Sequence, residues 1–269
     1  MSKNFELLQQ LQIDVDAGVL PPFMPADRAH RGDAEEMRKP VFEEQGKRAA
    51  IGQALLHVPN NRAAQEEALK LVHSVFLSQG SSPRRIVVFA AIDSGNGCSQ
   101  ICALVAKALS ASVRTSVCMV DANFRNSDKP SSYSVSSPIG LVDALCKPGP
   151  IHEFTMCAGS SNLALLPRGT ITRESIGFLN SRSMKTRIED LRGEFAYVLI
   201  DAPPLNSYAD AATLGQLTDG IVLILEANST RRGSALKIVE QLRTAEVTVL
   251  GAVLNKRTFP IPEAIYQIL

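Results

Sequence analysis

Residues 86–100 read Ile86-Val87-Val88-Phe89-Ala90-Ala91-Ile92-Asp93-Ser94-Gly95-Asn96-Gly97-Cys98-Ser99-Gln100. The first six form an apolar run of strand length. Beyond Gln100, the stretch Ile101 to Leu109 carries apolar residues at helical spacing. Strand, glycine turn and helix in that order make the frame of a phosphate-binding loop. The glycines let backbone N–H groups approach a phosphate, and the helix N-terminus adds partial positive charge. A complete loop carries Lys and then hydroxyl residues after the second glycine. Here those positions are Cys98, Ser99 and Gln100. A thiol offers no ammonium to the β- and γ-phosphates. Two readings stay open: a nucleotide enzyme, or a protein with the fold of one.

From Pro83 onward strand and helix patterns alternate. Strands are expected at 85–91, 115–120, 163–166, 195–200, 220–225 and 247–254. Helices are expected at 99–110, 139–146, 173–192, 209–216 and 231–244. Runs such as Tyr197-Val198-Leu199-Ile200 and Ile221 to Leu225 are continuously apolar, as strands buried on both faces are. The fold class is therefore α/β, a mostly parallel doubly wound sheet of the P-loop NTPase kind. Before it, Asn4 to Leu11 has helical periodicity, 18–40 is rich in Pro and charge and reads as a linker, and 41–58 is ambiguous. Asn61 to Leu77 reads as a helix with Ala64, Ala68, Leu71, Val72, Val75 and Phe76 on one face. The expected division is an N-terminal extension over 1–58 and the α/β domain over 59–269. Residues 126–138, rich in Ser and Pro, read as a surface loop.

The 269 residues carry a formal net charge of +1, so no basic field argues for nucleic acid. Five cysteines, at 98, 102, 118, 146 and 157, include no C-x-x-C pair and suit a reducing cytoplasm. The opening Met1-Ser2-Lys3-Asn4-Phe5 has no signal-peptide core, and no apolar run has the length of a membrane span. A cytoplasmic protein is expected, with any membrane role arising through a partner. The histidines at 30, 57, 73 and 152 lack metal-ligand spacing. Cys98 and Cys102 lie one helical turn apart. A helix N-terminus lowers a thiol's pKa, so Cys98 reads either as a redox-sensing thiol or as a residue tolerated where Lys is not needed.

Two apolar strands end in an acid: Val117-Cys118-Met119-Val120-Asp121, and Tyr197-Val198-Leu199-Ile200-Asp201 followed by Ala202-Pro203-Pro204. A doubly wound sheet opens its ligand crevice at such ends. The second strand has the form of a Walker B strand, whose carboxylate holds Mg²⁺. The plainer alternative for each is an Asp that caps the following turn.

At this point the chain resembles the kinase domains of bacterial tyrosine kinases that regulate capsule and exopolysaccharide synthesis, a branch of the deviant-Walker P-loop ATPases. The resemblance runs from Asn60 to near Phe259. It rests on G-N-G-C-S-Q, V-D-A-N-F-R, G-L-V-D-A-L, L-A-L-L-P-R-G, Y-V-L-I-D-A-P-P-L, the run from Ala209 to Leu225 and V-L-G-A-V-L-N-K, in that order. It implies that Gly95, Asn96, Gly97, Cys98, Ser99 and Gln100 stand at the nucleotide positions. It also implies ATP or ADP with Mg²⁺ as cofactors, Ser99, Asp121 and Asp201 as metal positions, and Asp121, Asn123 and Asp201 as catalytic positions. On the helix at 61–77 the family carries E-x-x-R-x-x-R, which packs subunits into a ring; Glu67, Lys70 and His73 stand there, so a homo-oligomer is a candidate state. A membrane-embedded polysaccharide chain-length or export protein is the implied partner.

Three departures bear on chemistry: Cys98 for Lys, Gln100 for a hydroxyl, and Asn123 for the second Asp of D-x-D. Phosphoryl transfer depends on positioned positive charge and metal, so the losses are expected to remove roughly three or more decades in rate. Arg125, the nearest cation in sequence, reads as a solvent-exposed loop arginine. Of four tyrosines (133, 197, 208 and 266) only Tyr266 lies near the end, so no cluster like that of the family's tyrosine-rich tail is expected to serve as an autophosphorylation substrate. The expected function is a cytoplasmic regulator of exopolysaccharide or capsule production, catalytically impaired and acting through protein contacts. The alternatives are an active, divergent tyrosine autokinase or ATPase, and a partition or positioning ATPase.

Overall fold

The computed structural model describes residues 62–78, 84–125, 137–158, 160–172, 175, 177 and 182–257. The expected helix at 4–11, linker at 18–40, domain boundary at 58/59, Tyr133 and Tyr266 lie outside the described residues. Seven strands form one sheet: β1 (Ile86–Ala91), β2 (Val117–Asp121), β3 (Met156–Ala158), β4 (Ser160–Leu166), β5 (Tyr197–Ala202), β6 (Ile221–Glu226) and β7 (Val249–Asn255). Their order is β3-β4-β2-β5-β1-β6-β7. All neighbouring pairs are parallel except β3 with β4. Every residue of β1 and β2 is buried, which is the physical reason their sequences are apolar runs rather than alternating ones.

The helices are α1 (Arg62–Val75), α2 (Cys98–Ser112), α3 (Leu141–Cys146), α4 (Arg182–Glu194), α5 (Asp210–Gln216) and α6 (Arg232–Thr244). The Ala- and Leu-rich α2 lies on the sheet and buries Cys102, Val105, Ala106 and Leu109 against Val87, Phe89, Met119 and Leu199. On top of α2 sits α1, through Ala68, Val72 and Val75. Phe76 follows α1 and meets Tyr197 edge to face at 5.9 Å. Removing a large side chain from this layer, as in Leu109→Ala, costs about 2–5 kcal/mol. Ile86, Val88 and Ala90 alternate to the opposite face. No helix among the described residues is long and apolar enough to cross a membrane.

The α/β class and the parallel sheet are as the sequence predicts. One detail differs. The strand expected at 163–166 begins at Ser160 and carries the antiparallel edge strand β3, which was not expected. Asn162 explains the extension: its Nδ2 donates to the carbonyls of Ser110, Val113 and Thr115 at 2.9, 3.0 and 3.2 Å, tying β4 to the turn between α2 and β2. Of the helix expected at 173–192 the described part is Arg182–Glu194, and most of 173–181 lies outside the described residues. Thr172 and Ser175 bond each other's backbone N–H groups through their hydroxyls at 2.9 and 3.2 Å.

One carboxylate joins three elements. Asp219 Oδ2 accepts the N–H groups of Arg85 and Ile86 at 2.6 and 2.8 Å, and Oδ1 accepts Arg192 Nη2 at 2.8 Å. Burial raises its pKa, but the bonds from Arg192, Ile86 and Arg85 outweigh burial and hold it below the usual carboxylate range. A carboxyl depressed in the folded state stabilises above its unfolded pKa and loses that contribution as pH falls through the folded value. Asp219→Asn is expected to cost about 2 kcal/mol at neutral pH and to make the loss of stability in acid shallower. Urea melts at neutral and acid pH measure both effects; parallel acid profiles for the two proteins would contradict the assignment.

Candidate functional site

Because β2 and β5 run parallel and in register, Asp121 and Asp201 are Cα partners at the carboxyl end of the sheet. Both are buried, at 3% and 1% exposure. The loop 92–97 leaves β1 beside them. The segment after β5 is pinned to it by Leu205 N–H to Ala91 O and Asn206 N–H to Ile92 O, at 2.9 and 3.0 Å. Gly97 lies in the left-handed region with φ 86°, and a Cβ there would run into the Asn255 carboxamide. Asn255 Nδ2 donates to Asn96 O at 2.8 Å. Asn96 is itself 2% exposed. With its amide turned to satisfy both ends, its oxygen accepts from Glu226 N–H and the Thr230 hydroxyl at 3.0 and 3.1 Å, and its nitrogen meets the Asp93 carbonyl. The ends of β6 and β7 thus grip the loop from beneath.

The buried floor is already paired. Ser99 Oγ donates to Asp201 Oδ2 at 2.6 Å. Asp121 Oδ1 accepts Asn123 N–H at 3.2 Å, and Oδ2 lies 3.9 Å from Arg168 Nε. The turn-capping role weighed for Asp121 is therefore real alongside its place at the strand end. Arg168 is brought there by Gly140, at which a Cβ would overlap Pro167 and Gly169. Leu141 and Val142 N–H donate to the carbonyls of Pro167 and Arg168 at 2.7 and 3.1 Å.

Cys98 turns inward and is buried. Burial pushes its thiol well up. The Asp201 and Cys102 charges add to this, as does a hydrogen bond to Asp201, against a smaller opposing effect from the Ala91 backbone. Of the two readings of Cys98, the tolerated residue fits this environment better than the redox-sensing thiol, because desolvation and a neighbouring carboxylate oppose the helix end.

Above this floor a cavity of about 470 Å³ opens, walled by the loop from Asp93 to Gln100 and by Asn123, Arg125, Tyr208 and Lys256. The structure gathers Gly95, Asn96, Gly97, Cys98, Ser99, Gln100 and Asn123 at the cavity and sets Asp121 and Asp201 beneath it. Asn123 Oδ1 is buried without a hydrogen-bond partner. Arg125 corrects the reading of a solvent-exposed loop residue. It donates Nε and Nη2 to the two oxygens of Asp210 at 2.7 and 3.1 Å, and its guanidinium lies 4.7 Å from the Tyr208 ring centroid. Lys256, which sequence reasoning missed, pairs with Glu226 Oε2 at 3.1 Å. The signal was present: V-L-N-K closes an apolar strand at the same end of the sheet as the two acids. Glu67, Lys70 and His73 are exposed on α1 and do not line the cavity; Lys70 Nζ bonds Glu67 Oε1 at 2.6 Å.

Ser99 and Asp201 form a hydroxyl–carboxylate pair suited to a hard cation beside a phosphate. Asp121 suits it less, with Arg168 near. No group of three or more His, Cys, Asp or Glu among the described residues forms a metal site by itself, so an ion here needs phosphate oxygens as further ligands. The fit to Mg²⁺ is partial and rests on Ser99 and Asp201.

Thiol labelling of the native protein at neutral pH checks the position of Cys98. Cys146 and Cys157 are exposed while Cys98, Cys102 and Cys118 are buried. Two thiols are expected to react quickly and three only on unfolding. Labelling of Cys98 as fast as Cys146 would show that it is not held under Asp201.

No protein-family model matches the chain. Among curated proteins it is 28% identical over 139 residues to the tyrosine-protein kinase YwqD of Bacillus subtilis, covering 52% of this chain and 59% of YwqD. It is 26% identical over 173 residues to the tyrosine-protein kinase CpsD of Streptococcus agalactiae, covering 64% of this chain and 75% of CpsD. Identity to the succinoglycan biosynthesis transport protein ExoP of Rhizobium meliloti is 29% over 183 residues, 65% of this chain and 22% of ExoP. The match to YwqD thus spans less than two thirds of that relative's length. Among solved structures, the kinase domain of the Escherichia coli tyrosine kinase ETK superposes with a TM-score of 0.69 at 21% identity, covering 82% of this chain and 91% of that one. The septum site-determining protein MinD of Pyrococcus horikoshii, complexed with Mg-ADP, superposes at 0.53 with 21% identity over 69% of this chain and 77% of that one. By sequence the chain is similar to named bacterial tyrosine-protein kinases, and its fold is that of the ETK kinase domain.

Proposed function

We propose that the chain is a cytoplasmic regulator of exopolysaccharide or capsule synthesis or export. It binds a nucleotide in the cleft, transfers phosphoryl groups slowly or not at all, and acts through contacts with a membrane-embedded chain-length or export protein. The setting follows from its homologues, the tyrosine kinases and the succinoglycan transport protein. The observation that carries the impairment is position 98. The side chain that stands where a phosphate-gripping ammonium belongs is a thiol that is buried beside Asp201 and carries no positive charge.

What remains suits binding. Two left-handed glycines and the N-terminus of α2 present backbone N–H groups to phosphate. Bound Mg²⁺ would add charge on the phosphate oxygens, with Ser99 and Asp201 as its protein ligands. Arg168 offsets the charge of Asp121, and Asn123 offers an amide in place of a second acid. Glu67, Lys70 and His73 form an exposed stripe for self-association. Lys70 lacks the bidentate geometry of Arg, so a ring built on it is weaker. An active, divergent kinase is the second reading, favoured by Arg125 and Lys256 in the cleft wall.

Incubation of the full chain with Mg–ATP, read by mass spectrometry for phosphotyrosine and by calorimetry for binding, separates the two. Measurable nucleotide binding with phosphorylation at least a thousandfold slower than an active relative under the same conditions is expected. Stoichiometric phosphotyrosine within minutes would sink the impairment and leave the active kinase.

A further inference from the structure

Among the described residues two cations stand in the cleft wall, and they are held very differently. Arg125 is fixed by both oxygens of Asp210, a nearly fully buried carboxylate, and by the Tyr208 ring. Releasing it would strand a buried charge. Among the described residues Lys256 pairs with Glu226 alone, and that pair is partly in solvent, with side-chain exposures of 49% and 25%. Such a pair contributes little and opens readily.

Lys256 also stands where an ammonium is wanted. It directly follows Asn255, whose amide holds Asn96 O of the loop. The Glu226 N–H bonds the Asn96 side chain from the other side. The backbone at Lys256 is left-handed, with φ 54°, so the chain turns sharply just beyond β7. The side chain joins Gly95, Gly97 and Ser99 in lining the same cavity. No lysine occurs in the loop itself.

We propose that Lys256 is the phosphate-binding cation of this cleft, exchanging Glu226 for the phosphates of a nucleoside di- or triphosphate. The charge lost at position 98 is thus supplied from the end of β7, and the Glu226–Lys256 pair is the resting state that the ligand breaks. This rests on the nucleotide-binding part of the function proposed above.

The test is calorimetry of the full chain with ADP and with ATP, with and without Mg²⁺, at two salt concentrations. The variants are Lys256→Asn, Lys256→Arg, Glu226→Gln and the double variant Glu226→Gln/Lys256→Asn. Asn is chosen because it tolerates left-handed backbone; an unchanged melting temperature establishes that the variant is folded, and Lys256→Gly serves if it is not. Lys256→Asn is expected to weaken binding about ten- to a hundredfold and to flatten its salt dependence. Lys256→Arg should stay within about threefold of the native chain, since the charge is kept. Glu226→Gln should tighten binding by freeing the ammonium, and the gain should vanish in the double variant, since it is routed through Lys256. Native binding that is undiminished in Lys256→Asn would overturn the role of Lys256 and leave the nucleotide reading intact. No native binding at millimolar nucleotide, with binding restored by Cys98→Lys, would overturn both.

Discussion

The constraint on which the structure depends is the burial of β1, β2 and β5 on both faces. Strands with no solvated side have nowhere to place a polar side chain except at their ends. Parallel pairing then brings those ends to one edge of the sheet. Asp121 and Asp201 are neighbours because Val117–Val120 and Tyr197–Ile200 are apolar and in register, not because the acids attract one another. Two adjacent carboxylates at such depth need partners. Ser99, Asn123 N–H and Arg168 supply them, and α2, the loop and the 140–169 segment are thereby drawn to the same edge.

Much of this was legible. The apolar runs at 86–91, 197–200 and 221–225 announce buried parallel strands, and the loop frame with an acid at two strand ends announces the crevice. The unread parts share a cause: they depend on contacts far apart in sequence. Met156–Ala158 is too short for its alternation to register, and it becomes a strand only because β4 is there to pair with. Asn162 extends β4 by reaching carbonyls some 50 residues earlier. Arg125 reads as a surface residue until Asp210 and Tyr208 fold beside it. The inward turn of Cys98 follows from its distance to Asp201, which spacing along the chain does not encode.

The cleft is a changed electrostatic arrangement on an unchanged frame. In a loop with Lys, positive charge stands over the phosphates and the acids below are free for metal. In this chain the strand-end acids have hydrogen-bonding or basic neighbours, and the cations of the wall come from the loop after β2 and the end of β7. Charge is present in similar kind but is differently aimed. Binding a polyanion tolerates such displacement better than in-line transfer does, because transfer requires alignment to a fraction of an ångström. Under the proposed function the frame and the chemistry are separable, and fold likeness alone would not distinguish a kinase from a protein that only holds a nucleotide.

The close approach of Gly97 to Asn255 also ties the cleft to the edge of the sheet. These residues lie more than 150 positions apart, and Asn255 closes β7, the last strand in the sheet order. The same carboxamide that meets Gly97 holds the Asn96 carbonyl. Whatever loosens that edge strand therefore loosens the loop, and a substitution far from the cleft reaches it through β7.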